Sequence, residues 1–265
     1  MDNKDLPNNK ISAVVKPRIY HQKKQKLEDL VPLQTPFSVH IDVCSLCNFK
    51  CSFCFQADIF GKKDKKFPHG MMKMDLFKKT VEDLKAFPDR IKKIKIGNHG
   101  EPTLHPELPE FIKFAREADV ADTVEVFTNG SKLNPELNKR LVDSGLQRIN
   151  ISLEGLSSER YLKVAAAKIN WEEFVGNIKN LYEYSRKKGE LNIYVKIVNN
   201  ASELKGETVY SMTEKEKNKF YDTFGNIADE IYIEKIVPQW AETQEGKQND
   251  VELTGMYDQK TVRYK

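Results

Sequence analysis

Short runs rich in β-branched and aromatic residues recur along the chain from residue 37 onwards. Such runs, bounded by polar and glycine-containing segments, are typical of β-strands. The pattern predicts six strands, at 37–43, 92–96, 123–127, 147–153, 191–198 and 230–237.

Between these runs, apolar residues return at the three- and four-residue spacing of amphipathic helices. Helices are predicted at 75–86, from Pro106, after Asn134, from Asn170 and from Thr213. Asn134 stands before a proline, which is the order of an N-cap and a first-turn proline. Thr213 with Glu216 forms a capping box, and Asn170 with Glu173 forms a variant of it.

Single helices between strands imply right-handed crossovers, because a tight turn cannot connect parallel strands. The chain is therefore predicted to be an α/β protein whose parallel sheet forms an open or closed barrel or a doubly wound sheet. In both architectures ligands bind at the carboxyl ends of the strands. Polar or glycine-containing segments follow four predicted strands, at 44–54, 97–102, 128–130 and 154–155.

Composition favours one soluble domain with short extensions. The chain has 265 residues, of which 39% are apolar and 31% charged, with interleaved charges and a net charge of +4. We expect a lead-in at 1–35, a core domain at 36–240 and a tail at 241–265. Neither a nucleic acid nor a membrane is expected as a partner, since no basic stripe or long apolar stretch occurs. Without a signal-peptide pattern, the expected location is the cytoplasm.

All four cysteines lie between Cys44 and Cys54, and this crowding points to a metal site. Cys47, Cys51 and Cys54 form the spacing C-x3-C-x2-C. Zinc fingers separate their two ligand pairs by a longer segment, so this spacing disfavours a zinc ribbon. An iron–sulfur cluster is larger and has four corners, which suits three or four cysteines on one short loop.

The cysteine segment resembles the signature of the radical S-adenosylmethionine (radical SAM) superfamily, C-x3-C-x-aromatic-C, with Phe53 as the aromatic residue. His99-Gly100-Glu101-Pro102 is similar to the Gly-Gly-Glu-Pro stretch of that family, with histidine replacing the first glycine. Ser152-Leu153-Glu154-Gly155 is similar to its Ser-Leu-Asp-Gly segment. The resemblance covers roughly residues 37 to 240 and implies a partial (β/α)6 TIM-type parallel barrel.

The resemblance also implies the cofactors and the reaction class. Three cysteines, Cys47, Cys51 and Cys54, would bind a [4Fe-4S] cluster and leave one iron open for S-adenosylmethionine. Reduction would cleave this molecule to a 5′-deoxyadenosyl radical, which abstracts hydrogen from a substrate. The substrate would be a small molecule or a peptide. A reducing electron donor such as flavodoxin or ferredoxin would be a partner.

Candidate residues for binding S-adenosylmethionine follow from the same resemblance. They are Phe53, Gly100, Glu101, Pro102, Asn129, Ser152, Glu154, Lys196 and Val237. Glu101 would either contact the cofactor or brace its own loop. Asn129 would lie near the cofactor or simply form a turn. Lys196 would pair with the cofactor carboxylate or with a neighbouring acid.

Two alternatives stay open at the level of sequence. Cys44 is expected to be a small buried thiol, but as a fourth ligand it would close the cluster and exclude radical chemistry. The chain would then be a non-catalytic binding or scaffold module stabilised by zinc or by a four-cysteine cluster. Within the family the chain is most similar to SPASM-associated members, although no cysteine follows Cys54.

Overall fold

A computed structural model describes residues 10–18, 26–51, 54, 70–199, 201–202 and 209–235. The strands are β1 Val14–Val15, β2 Ser38–Ile41, β3 Ile91–Ile96, β4 Ala121–Thr128, β5 Arg148–Leu153, β6 Asn192–Asn199, β7 Ala201–Ser202, β8 Val209–Tyr210 and β9 Glu230–Lys235. The α-helices are α1 Met74–Asp83, α2 Leu108–Glu117, α3 Pro135–Asp143, α4 Ser158–Ala165, α5 Trp171–Lys188 and α6 Glu214–Phe224. In this part of the chain, no helix is both long and apolar enough to cross a membrane.

Seven strands form one parallel sheet in the order β1-β9-β6-β5-β4-β3-β2. Strands β2 to β6 follow one another in space as in sequence, with a helix on most crossovers. Strands β7 and β8 form a separate antiparallel pair. The predicted α/β fold class, with a partial TIM-type parallel barrel, is confirmed.

The outer face of the sheet carries the hydrophobic core. Alternate residues on β3, β4, β5 and β6 point towards the helices and are almost fully buried: Ile94, Ile96, Val124, Val126, Ile149, Ile151, Ile193 and Val195. A parallel sheet buried on both faces would be apolar at nearly every position. Here the intervening positions are largely polar, so the concave face is built for contact with polar groups rather than for packing.

The three predicted capping residues, Asn134, Asn170 and Thr213, are confirmed by hydrogen bonds at the starts of α3, α5 and α6. The Asn134 side chain accepts a hydrogen bond from the Leu137 backbone N–H at 2.9 Å. In α6, the Thr213 hydroxyl and the Glu216 carboxylate form the reciprocal bonds of a capping box. Each such cap stabilises a helix by about 1 kcal/mol.

The structure contains elements that the sequence does not predict, among them β1, the short antiparallel pair β7 and β8, and helix α4. The segment predicted as a loose lead-in contains β1, which pairs with β9 through Val14 and Glu230. Helix α4 lies between β5 and α5, where no helix is predicted. A strand of two residues is too short to show a period, and an eight-residue helix shows barely two turns, so neither gives a clear signal.

Candidate active site at the carboxyl edge of the sheet

The cysteine loop begins just after β2 and lies at the carboxyl edge of the sheet. Cys44 is fully buried, and its thiol donates a hydrogen bond to the Leu46 carbonyl at 3.7 Å. Cys47 is exposed, whereas Cys51 and Cys54 are partly buried, and none of the four cysteines forms a disulfide. Cys44 therefore occupies the position of a small buried side chain, apart from the three cysteines of the predicted ligand set.

The loop is attached to several other segments. Its Leu46 carbonyl accepts the Glu101 N–H at 2.7 Å, and the Lys50 N–H donates to the Ala165 carbonyl at the end of α4. The Phe49 ring is buried and meets the Tyr161 ring edge-on, with centroids 5.8 Å apart. These contacts hold the cysteine segment against the ends of β3 and β5.

Gly100 sits where the loop after β3 touches the cysteine loop. Its φ angle is +82°, a conformation that side chains disfavour. A Cβ atom at this position would lie 2.2 Å from the Cys44 carbonyl oxygen and 2.9 Å from that of Leu46. Only glycine allows the two backbones to come this close. The Gly-Glu-Pro element therefore helps to fix the position of the cysteine loop.

The Glu101 side chain is buried and binds entirely within the protein. Its Oε1 accepts hydrogen bonds from the Thr103 N–H at 3.0 Å, the Thr103 hydroxyl and the Thr128 hydroxyl at 2.6 Å. Its Oε2 accepts the Asn129 N–H at 2.6 Å. Burial raises the pKa of Glu101, while these hydrogen bonds oppose the shift. The Glu101 side chain therefore braces the loops around it, and Pro102 continues the same turn in a buried position.

Asn129 also forms more than a simple turn. Its Nδ2 donates to Asn48 Oδ1 at 3.0 Å, and its Oδ1 accepts from the Ser131 N–H and hydroxyl. Asn48 Nδ2 in turn donates to the Ser131 hydroxyl at 2.8 Å. This closed ring of three side chains connects the cysteine loop to the end of β4. Asn48 and Ser131 were not among the predicted site residues, although Asn48 lies directly after the first cysteine of the motif.

The thiols are close enough to influence one another electrostatically. Although Cys47 is exposed as a residue, partial desolvation of its thiol raises the pKa to about 11, and the charges of Glu101 and Cys54 add to this shift. Burial also raises the pKa of Cys51 well above its usual value, helped by Glu154 and the other two thiols. Because metals bind thiolates, occupation of this loop by iron must displace protons from at least these two cysteines.

Glu154 and Lys196 approach the cysteine loop from β5 and β6. Burial raises the pKa of Glu154 to about 7, against the opposing effects of the Lys196 charge and of hydrogen bonding with the Cys51 thiol. Glu154 Oε2 is buried and has no hydrogen-bond partner within the described residues. The Lys196 ammonium binds the Glu234 carboxylate of β9. The structure thus pairs Lys196 with a neighbouring acid.

The remaining predicted residues are distributed as follows. Ser152 lies on the concave face of β5, opposite Lys196 in the register of the sheet. Phe53 and Val237 lie outside the described residues. The sequence also favours a solvated loop residue at His99, whereas its Nδ1 lies 2.8 Å from Asp42 Oδ2. Asp42 in addition accepts the N–H groups of Asn98 and His99, and so ties the Gly100 loop to the end of β2.

The donor set fits an iron–sulfur cluster better than a single ion. Within the described ranges, no three His, Cys, Asp or Glu side chains are arranged to hold one metal ion. The loop nevertheless presents three cysteines near one another, none of them in a disulfide, and the Gly100 contact holds its backbone in place. A cluster spans a wider ligand set than one ion does. Cys47, Cys51 and Cys54 are the residues that would hold it.

Together, the parallel half-barrel and the three-cysteine loop at its carboxyl edge define a protein of the iron–sulfur α/β-barrel class. The family model of the Radical SAM superfamily matches residues 41–206, more than half of the chain. The chain therefore belongs to the Radical SAM superfamily. Its members are enzymes that use a [4Fe-4S] cluster and S-adenosylmethionine. The family, the enzyme class and the cofactors predicted from sequence are thereby confirmed.

Curated relatives match part of the chain. The GTP 3′,8-cyclase of Chlorobaculum tepidum is 31% identical over 126 residues, which is 48% of this chain and 35% of the relative. The tungsten-containing aldehyde ferredoxin oxidoreductase cofactor-modifying protein of Pyrococcus furiosus is 30% identical over 118 residues, 44% of this chain and 31% of the relative. The alignments thus span about a third of each of these relatives.

Solved structures agree on the fold. SuiB of Streptococcus suis bound to S-adenosylmethionine superposes with a TM-score of 0.61 at 16% identity, covering 82% of this chain and 45% of that one. Native anSMEcpe with bound AdoMet gives a TM-score of 0.55 at 20% identity, covering 78% of this chain and 53% of that one. At this level of identity, the similarity establishes the barrel fold alone.

Proposed function

We propose that this chain carries out S-adenosylmethionine-dependent hydrogen abstraction from a substrate, with Cys47, Cys51 and Cys54 as the cluster ligands. The observation that carries the proposal is the grouping of three cysteines that form no disulfide, Cys47, Cys51 and Cys54, on a loop whose backbone is held by the close contact with Gly100. When bound, the cluster and S-adenosylmethionine supply one-electron cleavage of the sulfonium bond and hydrogen abstraction from the substrate. The chain's own residues position both groups.

The contacts of the candidate cofactor residues support two different proposed roles. Glu101 and Asn129 use their side chains to hold loops together, so their role is positioning. Glu154 offers a buried carboxylate oxygen without a partner among the described residues, beside Cys51. A carboxylate there suits the ammonium or hydroxyl groups of S-adenosylmethionine. Ser152 lies two residues earlier, on the concave face of β5, and both Ser152 and Glu154 are proposed to contact this cofactor.

The remaining assignments rest on the family resemblance. Phe53 is proposed to pack beside the cluster, and Val237 to contact the adenine through its backbone. Lys196 is proposed to contribute to cofactor binding while its ammonium group stays paired with Glu234. We propose a small molecule or a peptide as substrate and a reducing protein such as flavodoxin or ferredoxin as electron donor. The core domain at 36–240, with flanking segments at 1–35 and 241–265, is kept as the proposed organisation.

The experiment reconstitutes the chain anaerobically with iron and sulfide and reduces it in the presence of S-adenosylmethionine. The expected result is release of 5′-deoxyadenosine and methionine. Cys51→Ala should lose most of the bound iron, whereas its matched control Cys44→Ala should keep most of it. Equal iron loss in both variants, or a loaded wild-type protein that releases no 5′-deoxyadenosine, would overturn the proposal in favour of a metal-stabilised binding module.

A further inference from the structure

The concave face of the sheet carries an excess of positive charge that its own acids do not neutralise. Glu230 is bound by Arg148 at 2.8 Å and by Lys16 at 3.0 Å. Glu125, almost fully buried, lies 3.6 Å from Arg148 and 3.7 Å from Lys93. Both acids are therefore already surrounded by cations of this network.

Three further basic groups lie on the same face. His40 of β2 and Lys95 of β3 are direct neighbours in the register of the sheet. Arg18, beyond β1, reaches across the concave face and places its guanidinium 5.0 Å from the centre of the Phe127 ring of β4. Within the described residues, the side chains of His40 and Lys95 have no hydrogen-bond or salt-bridge partner, and the Arg18 guanidinium has only its ring contact.

These groups repel one another at close range. Burial lowers the pKa of Lys95, and the charges of Arg18 and Lys93 lower it further against the opposing effect of Glu125. Burial likewise lowers the pKa of His40, as do Lys95 and Arg18, while Asp42 and Glu125 oppose the shift. Arg18 and Lys95 are partly buried and His40 is exposed. Clustered like charges of this kind are unfavourable unless an anion compensates them.

We propose that Arg18, Lys95 and His40 bind an anionic group of the substrate, a phosphate or a carboxylate, on the concave face of the sheet. The guanidinium and ammonium groups provide the charge-assisted hydrogen bonds with which proteins recognise both groups. The inference rests on the proposed function only in assigning the bound anion to the substrate of that reaction.

The position of these residues suits a substrate that reaches the cysteine loop. His40 lies four residues before Cys44, a distance of at most about 14 Å for extended chain. If His40 and Lys95 bind the anionic group of a substrate, the rest of that substrate would therefore lie between these basic residues and the cofactor site. This places the reacting part of the molecule near the carboxyl edge of the sheet.

The test titrates the anaerobically reconstituted protein with inorganic pyrophosphate and, separately, with succinate, and measures binding by calorimetry. Arg18→Gln and Lys95→Met should each weaken binding of the preferred anion by about tenfold. The matched control is Lys92→Met, because Lys92 lies on the same strand with its ammonium bound to Asp122 and its side chain exposed. This control should bind like the wild type. Matching unfolding curves would show that the variants fold.

Preference for pyrophosphate would support a phosphate-bearing substrate, and preference for succinate a carboxylate-bearing one. The inference would be overturned if the wild-type protein bound neither anion. It would also be overturned if Lys92→Met weakened anion binding as much as Arg18→Gln and Lys95→Met do, because that result would indicate general charge attraction. The heat of anion binding does not require cleavage of S-adenosylmethionine. Failure of this inference is therefore distinguishable from failure of the proposed function, which the release of 5′-deoxyadenosine reports.

Discussion

The carboxylate of Glu101 accepts the backbone N–H of Asn129 at 2.6 Å, joining the loop after β3 to the loop after β4. The other oxygen of the same carboxylate binds Thr103 and Thr128. Each loop is also attached to the cysteine segment, the first through the Glu101 N–H and the second through the Asn129 amide. Glu101 thus joins three loops at the candidate site, two through its side chain and the cysteine loop through its backbone N–H.

Replacement of this carboxylate by an amide should loosen the three loops. In Glu101→Gln, an NH2 group replaces one acceptor, and at least one buried donor loses its partner. We expect the free energy of unfolding to fall by about 1–3 kcal/mol. Urea denaturation measures this change, and iron content after reconstitution should fall with it. Glu110→Gln, at an exposed pair with Arg140, is the control, and the proposed bracing role is wrong if both variants lose the same stability.

Gly100 offers a sharper test of the contact between loops. In Gly100→Ala, the added methyl group meets the Cys44 carbonyl at a positive φ angle. The free energy of unfolding should fall by about 2–4 kcal/mol, and most bound iron should be lost. Chemical iron analysis and urea denaturation measure the two effects.

The matched control for this substitution is Gly176→Ala in α5. A methyl group added at Gly176 would meet no atom within 4 Å beyond its chain neighbours and its own helix backbone, so the new side chain enters open space. Alanine there should raise the free energy of unfolding by about 0.5–1 kcal/mol through better helix propensity. Retention of normal iron content by Gly100→Ala would contradict the close approach of the two loops.

Much of this site follows from local sequence because its main features are local. The thiols of Cys47, Cys51 and Cys54 lie within one short segment, and the glycine at position 100 lies in a recognisable tripeptide. The strands and the capped helices are likewise encoded by short patterns of apolar and capping residues. For these reasons, the fold class and the family could be predicted.

Side-chain partners could not be predicted, because they come from distant segments. Glu101 binds a hydroxyl of β4, and Lys196 binds Glu234 across two strands that are adjacent only in the folded sheet. The strand β1 was missed for the same reason, since its two residues gain their conformation from pairing with β9. Long-range pairing thus decides which polar groups remain available for a ligand.

Stability should depend on pH through Glu230. Burial raises the pKa of this residue, but hydrogen bonds and charges from Arg148 and Lys16 outweigh burial and hold it below the usual range. A lowered pKa in the folded state stabilises the protein above the pKa of the unfolded chain, and this stabilisation is lost as pH falls through the folded value. The loss should begin below about pH 5.

The variant Glu230→Gln cannot titrate and should lack this component. The difference in unfolding free energy between wild type and variant should therefore be largest near pH 7 and shrink towards about pH 3, as measured by urea denaturation at each pH. Glu117→Gln, at an exposed and longer pair with Lys113, is the control and should show little difference at any pH. A difference for Glu230→Gln that does not vary with pH would contradict the charge network.

The ring of Asn48, Asn129 and Ser131 should behave as one unit. Asn48→Ala and Asn129→Ala each break the direct bond between the two amides, so the second substitution has less left to remove. The double variant should be less destabilised than the sum of the single variants, by at least about 0.5 kcal/mol. Urea denaturation of all four proteins measures this coupling.

Asn138 provides the control, because its amide binds Asn177 and Asn180 and shares no partner with Asn48. Asn48→Ala combined with Asn138→Ala should be additive within about 0.5 kcal/mol, and equal additivity in both pairs would show that the ring does not connect the cysteine loop to β4.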